Sequence, residues 1–242
     1  YCWIIIYERN IMNIPIVATP EYETTLPSGD RVKFRPFLVK EEKILLMIKD
    51  TNDFEQVLNA MLKVVDSCLI TKVDVKTLSY ADIEHLFIIM RSRSVGETID
   101  VNVTCKSCGE SFPANINVNL ITTSGEYPDD LKVMLSENVG VTVQPIPVRN
   151  MATVQKVADD HPMEILYYVI DSVFNDQDLA KFSEYSSEDK IAFVESLSLI
   201  QVQKNLKKVE EFPKCCIKTT LECPHCGEQQ EVVIEGIDNF FT

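Results

Sequence analysis

A chain of 242 residues and 27.5 kDa with 45% hydrophobic positions is long enough to bury one sizeable core or two small ones, and should be globular. Its 23 Lys and Arg against 37 Asp and Glu give a net charge of −14, which repels a phosphate backbone and argues against nucleic acid as the main partner. No apolar run reaches the ~18 residues that span a bilayer, and no Lys/Arg-led segment precedes a small-residue cleavage site, so the expectation is no membrane and a cytosol-like compartment.

Residues 1–21 read as a lead-in. Met12 opens an ordinary-looking start, so residues 1–11 are expected to be upstream translated or vector-derived sequence, although Ile4 to Ile6 could form an edge strand. In TTLPSGDRVKFRPF, Pro27, Ser28, Gly29 and Asp30 supply turn chemistry between two extended segments, and Pro36 closes the hairpin. From Val39 the period becomes helical, with Glu41 and Glu42 in the first turn. A second helix is expected to start at an Asn52 cap with Glu55 three residues on. It carries Phe54, Val57, Leu58, Met61, Leu62, Val65 and Leu69 on one face, with Cys68 on the same stripe as a small core hydrophobe. A third helix opens with Ser79-Tyr-Ala-Asp82 and aligns Ile83, Leu86, Phe87 and Met90. Together these form a hairpin-plus-helix region over residues 22–95.

Between Gly96 and Leu120, TIDVNVTC and SFPANINVNL alternate as two strands with a cysteine pair at their junction. Residues 121–212 are expected to be a hairpin and helical insertion. The hairpin turns at Glu137 to Gly140. Pro162 then starts a helix with Met163, Leu166, Tyr167, Ile170 and Phe174 on one face. Ser186 and Asp189 cap a long helical tract from about Glu188 to Phe212, which Pro213 stops. Residues 213–238 return to strand, knuckle and strand. Cys215 and Cys216 are adjacent there, so at most one should face a core. The expected fold is α+β, mainly helical, with small antiparallel hairpins and a zinc ribbon split between residues 96–120 and 213–238.

The ribbon expectation comes from a repeat. CKSCG and CPHCG present the pattern Cys-x-x-Cys-Gly twice, 118 residues apart, each time between strand-like runs. Structural zinc takes four thiolates in a tetrahedron, and each such turn offers two sulfurs. Cys105, Cys108, Cys223 and Cys226 are therefore the expected ligands of one Zn2+ ion, with Gly109 and Gly227 letting the chain reverse at positive φ. Redox chemistry fits less well, because a thioredoxin-like pair opens a helix in a βαβ unit and both pairs here lead into strands. Disulfides or uncoordinated thiols also stay open at this point. His225, between two ligands, reads as an exposed loop residue.

No catalytic constellation is visible: the three histidines stand near no nucleophile motif, and the seven glycines form neither GxGxxG nor GxxxxGK[ST]. The expectation is a non-enzyme. The run from Leu26 to Pro36, LPSGDRVKFRP, leads into Glu41 and Glu42 and is followed by paired helices, CKSCG, CPHCG and EGIDNFF. Over about residues 22–242 this pattern resembles the T4-type bacteriophage baseplate hub subunit family. The resemblance implies a part in building the central hub of a contractile tail baseplate, within the virion tail or in the host cytoplasm during assembly. Its partners would be other phage baseplate hub and tail proteins, and a homo-oligomer is open; the zinc expectation rests on cysteine spacing rather than on this kinship. Arg35 is expected to pair with Glu41 or Glu42. Phe240 and Phe241 are expected to anchor a partner pocket or to pack back onto the ribbon. The rival reading is a zinc-ribbon regulator that binds transcription machinery or nucleic acid.

Overall fold

The computed structural model describes residues 17–48, 51, 53–158 and 161–235. The chain starts with a hairpin of β1 (Tyr22–Thr25) and β2 (Arg31–Phe34), closed where the Gly29 N–H donates to the Leu26 carbonyl at 2.8 Å. Gly29 sits at φ 96°, a backbone region that other residues enter only with strain. Val32 and Phe34 alternate inward, while Arg31 and Lys33 face water.

Helix α1 (Val39–Ile48) follows, then α2 (Phe54–Cys68) and α3 (Tyr80–Ser94). The cap of α2 is Asp53, whose carboxylate accepts the Glu55 and Gln56 N–H groups at 3.0 and 3.3 Å; Asn52, the expected cap, lies outside the described residues. The expected capping box of α3 is present in both directions, Asp82 N–H to Ser79 Oγ at 3.1 Å and Ser79 N–H to Asp82 Oδ2 at 3.2 Å. Asp82 also accepts the Ser28 N–H at 3.0 Å, which fastens the first hairpin's turn to the start of α3.

Strands β3 (Thr98–Thr104) and β4 (Ser111–Asn117) form the first knuckle hairpin, and β5 (Ile121–Thr123) leaves it. The insertion then builds β6 (Lys132–Met134), β7 (Val139–Val143), α4 (Val148–Ala158), α5 (Leu166–Val169), β8 (Ile170–Asn175) and β9 (Leu179–Lys181). It ends in α6 (Ser187–Glu195) and α7 (Leu199–Glu210). Finally β10 (Cys215–Glu222) and β11 (Gln229–Glu235) make the second knuckle hairpin. All sheets are antiparallel, in the orders β1-β2, β3-β4, β11-β10-β5 and β6-β7-β8-β9.

Among the described residues, three buried clusters hold these parts. The largest joins the first hairpin to α2 and α3, and reaches Ile99, Ile116, Ile217 and Ile234 at the roots of both knuckle hairpins. A second, with Val141, Leu166, Ile170 and Phe212, lies within the insertion. A small third cluster of Val103, Phe112, Cys105 and Cys223 sits beneath the knuckles.

The fold is α+β, but not mainly helical. Helix takes 42% and strand 28% of the described residues. Two segments depart from the helices expected of them. The expected helix from Met163 to Phe174 is a 310 turn at Pro162–Ile165, a single turn of α5, and then strand β8. β-branched Ile170 and Val173 gain more from pairing with β7, where Val173 stands opposite Val141, than from continuing a helix. Phe174 lies over Gly140, whose missing side chain leaves room for the ring: a Cβ there would come within 2.3 Å of it. The tract from Glu188 to Phe212 is two helices, because Ser198 starts α7 with its own capping box to Gln201. Cys215 and Cys216 are both buried, contrary to the alternation argument: the start of β10 is covered on both faces, with Cys215 against the Ala81 carbonyl of α3 at 3.2 Å.

Candidate metal centre

The two knuckles repeat one local geometry. In the first, the Cys105 N–H donates to the Glu110 carbonyl at 2.8 Å and the Gly109 N–H to the Cys105 carbonyl at 2.9 Å. In the second, Cys223 N–H to Glu228 and Gly227 N–H to Cys223 both measure 2.9 Å. Gly109 and Gly227 have φ of 78° and 75°, so each glycine performs the reversal that the spacing predicted.

The fold brings these distant turns together. All four Sγ atoms of Cys105, Cys108, Cys223 and Cys226 lie within 4.8 Å of one another, with Cys105 to Cys226 and Cys108 to Cys223 each at 3.7 Å. Four sulfurs at ~2.3 Å from a central ion form a tetrahedron whose edge is ~3.8 Å. The cross-knuckle spacing matches that edge, and the thiols are free. The cluster can therefore hold a metal ion. Cys105 and Cys223 are buried against Val103 and Phe112, whereas Cys108 and Cys226 are exposed, which places one side of the cluster at the surface.

Charge chemistry at the cluster favours a cation. The Cys108 backbone N–H, aimed at Cys105, pulls that thiol down to about 7. The Glu228 N–H also favours the Cys226 thiolate, but partial desolvation and hydrogen bonds with the sulfurs of Cys105, Cys108 and Cys223 outweigh it and push the thiol up to about 12. Crowded sulfurs cannot all carry negative charge without a positive partner between them. His225 is exposed and is not one of the four grouped ligands.

Gln230 completes the junction, and nothing in the sequence singled it out. Its side chain is buried, accepts the Lys106 N–H at 2.8 Å through Oε1, and points Nε2 at the Thr104 carbonyl at 3.4 Å. One amide thus ties the second hairpin to the backbone on both sides of Cys105.

A second constellation lies in the LPSGDRVKFRP stretch. Of the two expected partners for Arg35, the structure selects Glu41, at 2.9 Å. This is no loose surface pair, because Glu41 is 1% exposed. Arg35 also donates to the Pro36 and Ser67 carbonyls at 2.9 and 2.8 Å, while Glu41 accepts from the Leu38 N–H at 2.8 Å and the Ser67 hydroxyl at 3.1 Å. The cluster joins β2, the start of α1 and the end of α2. Burial alone would push the Glu41 carboxyl up, but Arg35, the Leu38 N–H and Ser67 together hold it at about 2. Phe240 and Phe241 lie outside the described residues.

Comparisons with known proteins bear on the whole chain. Residues 19–242 match the family model described as T4 bacteriophage base plate protein. The baseplate hub assembly protein gp26 of Enterobacteria phage T4 is 23% identical over 226 residues, covering 91% of this chain and 98% of that protein. No solved structure matches. With a match that runs through both the Arg35–Glu41 cluster and the two knuckles, the chain belongs to the T4 bacteriophage base plate protein family.

Proposed function

We propose that this protein is a non-catalytic structural or assembly component of the central hub of a contractile phage tail baseplate. It works through contacts with other baseplate hub and tail proteins, in the host cytoplasm during assembly or in the virion tail. The observation that carries the reading is the family match from residue 19 to residue 242, supported by a relative of nearly the same length whose name is that of a hub assembly protein.

Within that role the four cysteines would hold one structural Zn2+. Four sulfurs complete a tetrahedral shell and leave no open position for a water or substrate, so the ion would brace the fold rather than perform chemistry. It would clip the middle of the chain to its last hairpin and keep the ribbon attached to the helical core. The rival reading, a ribbon that binds nucleic acid, meets an acidic surface: Glu97, Asp100, Glu110, Glu222, Glu228, Glu231 and Glu235 surround the knuckles against Lys106, Lys214 and Lys218. Among the described residues no helix is long and apolar enough to cross a membrane.

Affinity purification of the tagged protein from infected cells, with mass spectrometry of the co-purifying proteins and metal quantification, tests the proposal. Recovery of hub and tail proteins with one zinc per chain is the expected result. Recovery of no baseplate protein, together with salt-dependent retention on DNA, would sink it in favour of the nucleic-acid reading.

A further inference from the structure

An apolar hollow in the described structure is unexplained by the metal site or by the Arg35 cluster. It has a volume of 280 Å³ and lies where the first hairpin's turn, α3, the insertion and β10 meet, walled by Tyr80, Tyr127, Ile146, Met151, Phe212 and Pro213. Glu235, the last residue of β11, also lines it. The chain therefore leaves the described structure from the pocket's own edge.

The residues after Glu235 match the pocket. They are GIDNFFT, with Ile237, Phe240 and Phe241 as the apolar members. A cavity of ~150 Å³ takes one benzene ring, so 280 Å³ has room for about two. The span from Gly236 to Phe240 reaches up to ~18 Å, whereas a sphere of the pocket's volume is roughly 8 Å across. Gly236 comes first, the residue type that best tolerates a sharp change of direction. Two phenyl rings are costly to leave in water, and this is an aromatic-walled hollow within their reach.

We propose that the pocket between Tyr80, Tyr127, Met151 and Phe212 is a docking site for this chain's own Ile237–Phe241 segment, with Phe240 and Phe241 as the inserted rings. The aromatic pair then finds its pocket on its own chain rather than on a partner. This docking depends on neither the zinc nor the baseplate role.

Hydrogen–deuterium exchange on the full chain tests it, comparing wild type with Phe240→Ser/Phe241→Ser. The expected result is exchange faster by roughly tenfold or more in the pocket walls, residues 80–84, 145–151 and 209–215, with the knuckle strands 98–104 and 111–117 unchanged. Adding the synthetic peptide GIDNFFT in excess to the variant should restore slow exchange in those walls. If the serine variant fails to fold, Phe240→Leu/Phe241→Leu replaces it, with a smaller loosening expected at the same walls. Wall exchange that is unchanged by either variant, or that the peptide does not slow, overturns the proposal. So does wall protection that is indifferent to the two rings and rises only when another baseplate protein is added, because the pocket would then belong to that partner.

Discussion

Under the zinc proposal, replacing Cys223 by Ser costs the protein its clip, and the size of the effect is set by where the cysteines sit. Cys108 and Cys223 are 3.7 Å apart in space and 115 residues apart in sequence. A cross-link that closes a loop of this length removes about 5 kcal/mol of chain entropy from the unfolded state. The binding energy of a structural zinc, on the order of 10 kcal/mol, is ample to hold such a cross-link closed. For a chain of this size 1 kcal/mol moves the midpoint by about 2–4 °C, so a loss of about 5 kcal/mol lowers Tm by about 10–20 °C. Thermal unfolding followed by circular dichroism, on wild type, Cys223→Ser and wild type with a chelator, measures this directly. The chelated wild type and the variant should converge on one low midpoint, with both knuckle hairpins losing protection. His225→Ala, beside the ligands but exposed, should leave the midpoint unchanged. Wild type that purifies with well under one zinc per chain and melts with Cys223→Ser would refute the reasoning.

The Arg35–Glu41 cluster sets a pH dependence. Glu41 titrates at about 2 in the folded protein against an ordinary 4.5, so its contribution of about 3 kcal/mol is complete above pH 4.5 and disappears as pH falls toward 2. Urea unfolding of wild type and Glu41→Gln should differ by about that amount at pH 7 and converge in acid; a constant difference from pH 7 to pH 2 would contradict the assignment. Ser198→Ala removes the acceptor for the Gln201 N–H and should lower stability by about 1 kcal/mol in urea titration, whereas a change below about 0.3 would mean that α7 is held by packing alone. Gly227→Ala forces a side chain into φ 75° and should weaken the proposed zinc binding by about 1–2 kcal/mol in a competition assay; unchanged affinity would show that the knuckle tolerates another backbone path.

Signals that act within about four residues were legible in the chain. The Pro27 to Asp30 turn, the Ser79–Asp82 capping box, the stripe on α2 and the two Cys-x-x-Cys-Gly knuckles all formed as their residues dictate, because each is decided by backbone dihedrals and hydrogen bonds inside one turn. Spacing also named the four sulfurs that meet. Tertiary structure decided the rest. Ile170 to Phe174 satisfies a helical period, and only the presence of β7 beside it makes a strand the better solution. Both Cys215 and Cys216 are covered because other segments pack on both faces at the start of β10, which no local pattern reveals. Glu41 was favoured over Glu42, and Gln230 was recruited to the knuckle junction, by groups distant in sequence such as Ser67 and Thr104. Caps and turns are set by a few neighbouring atoms, whereas burial and partner choice depend on segments that meet only after the chain has folded.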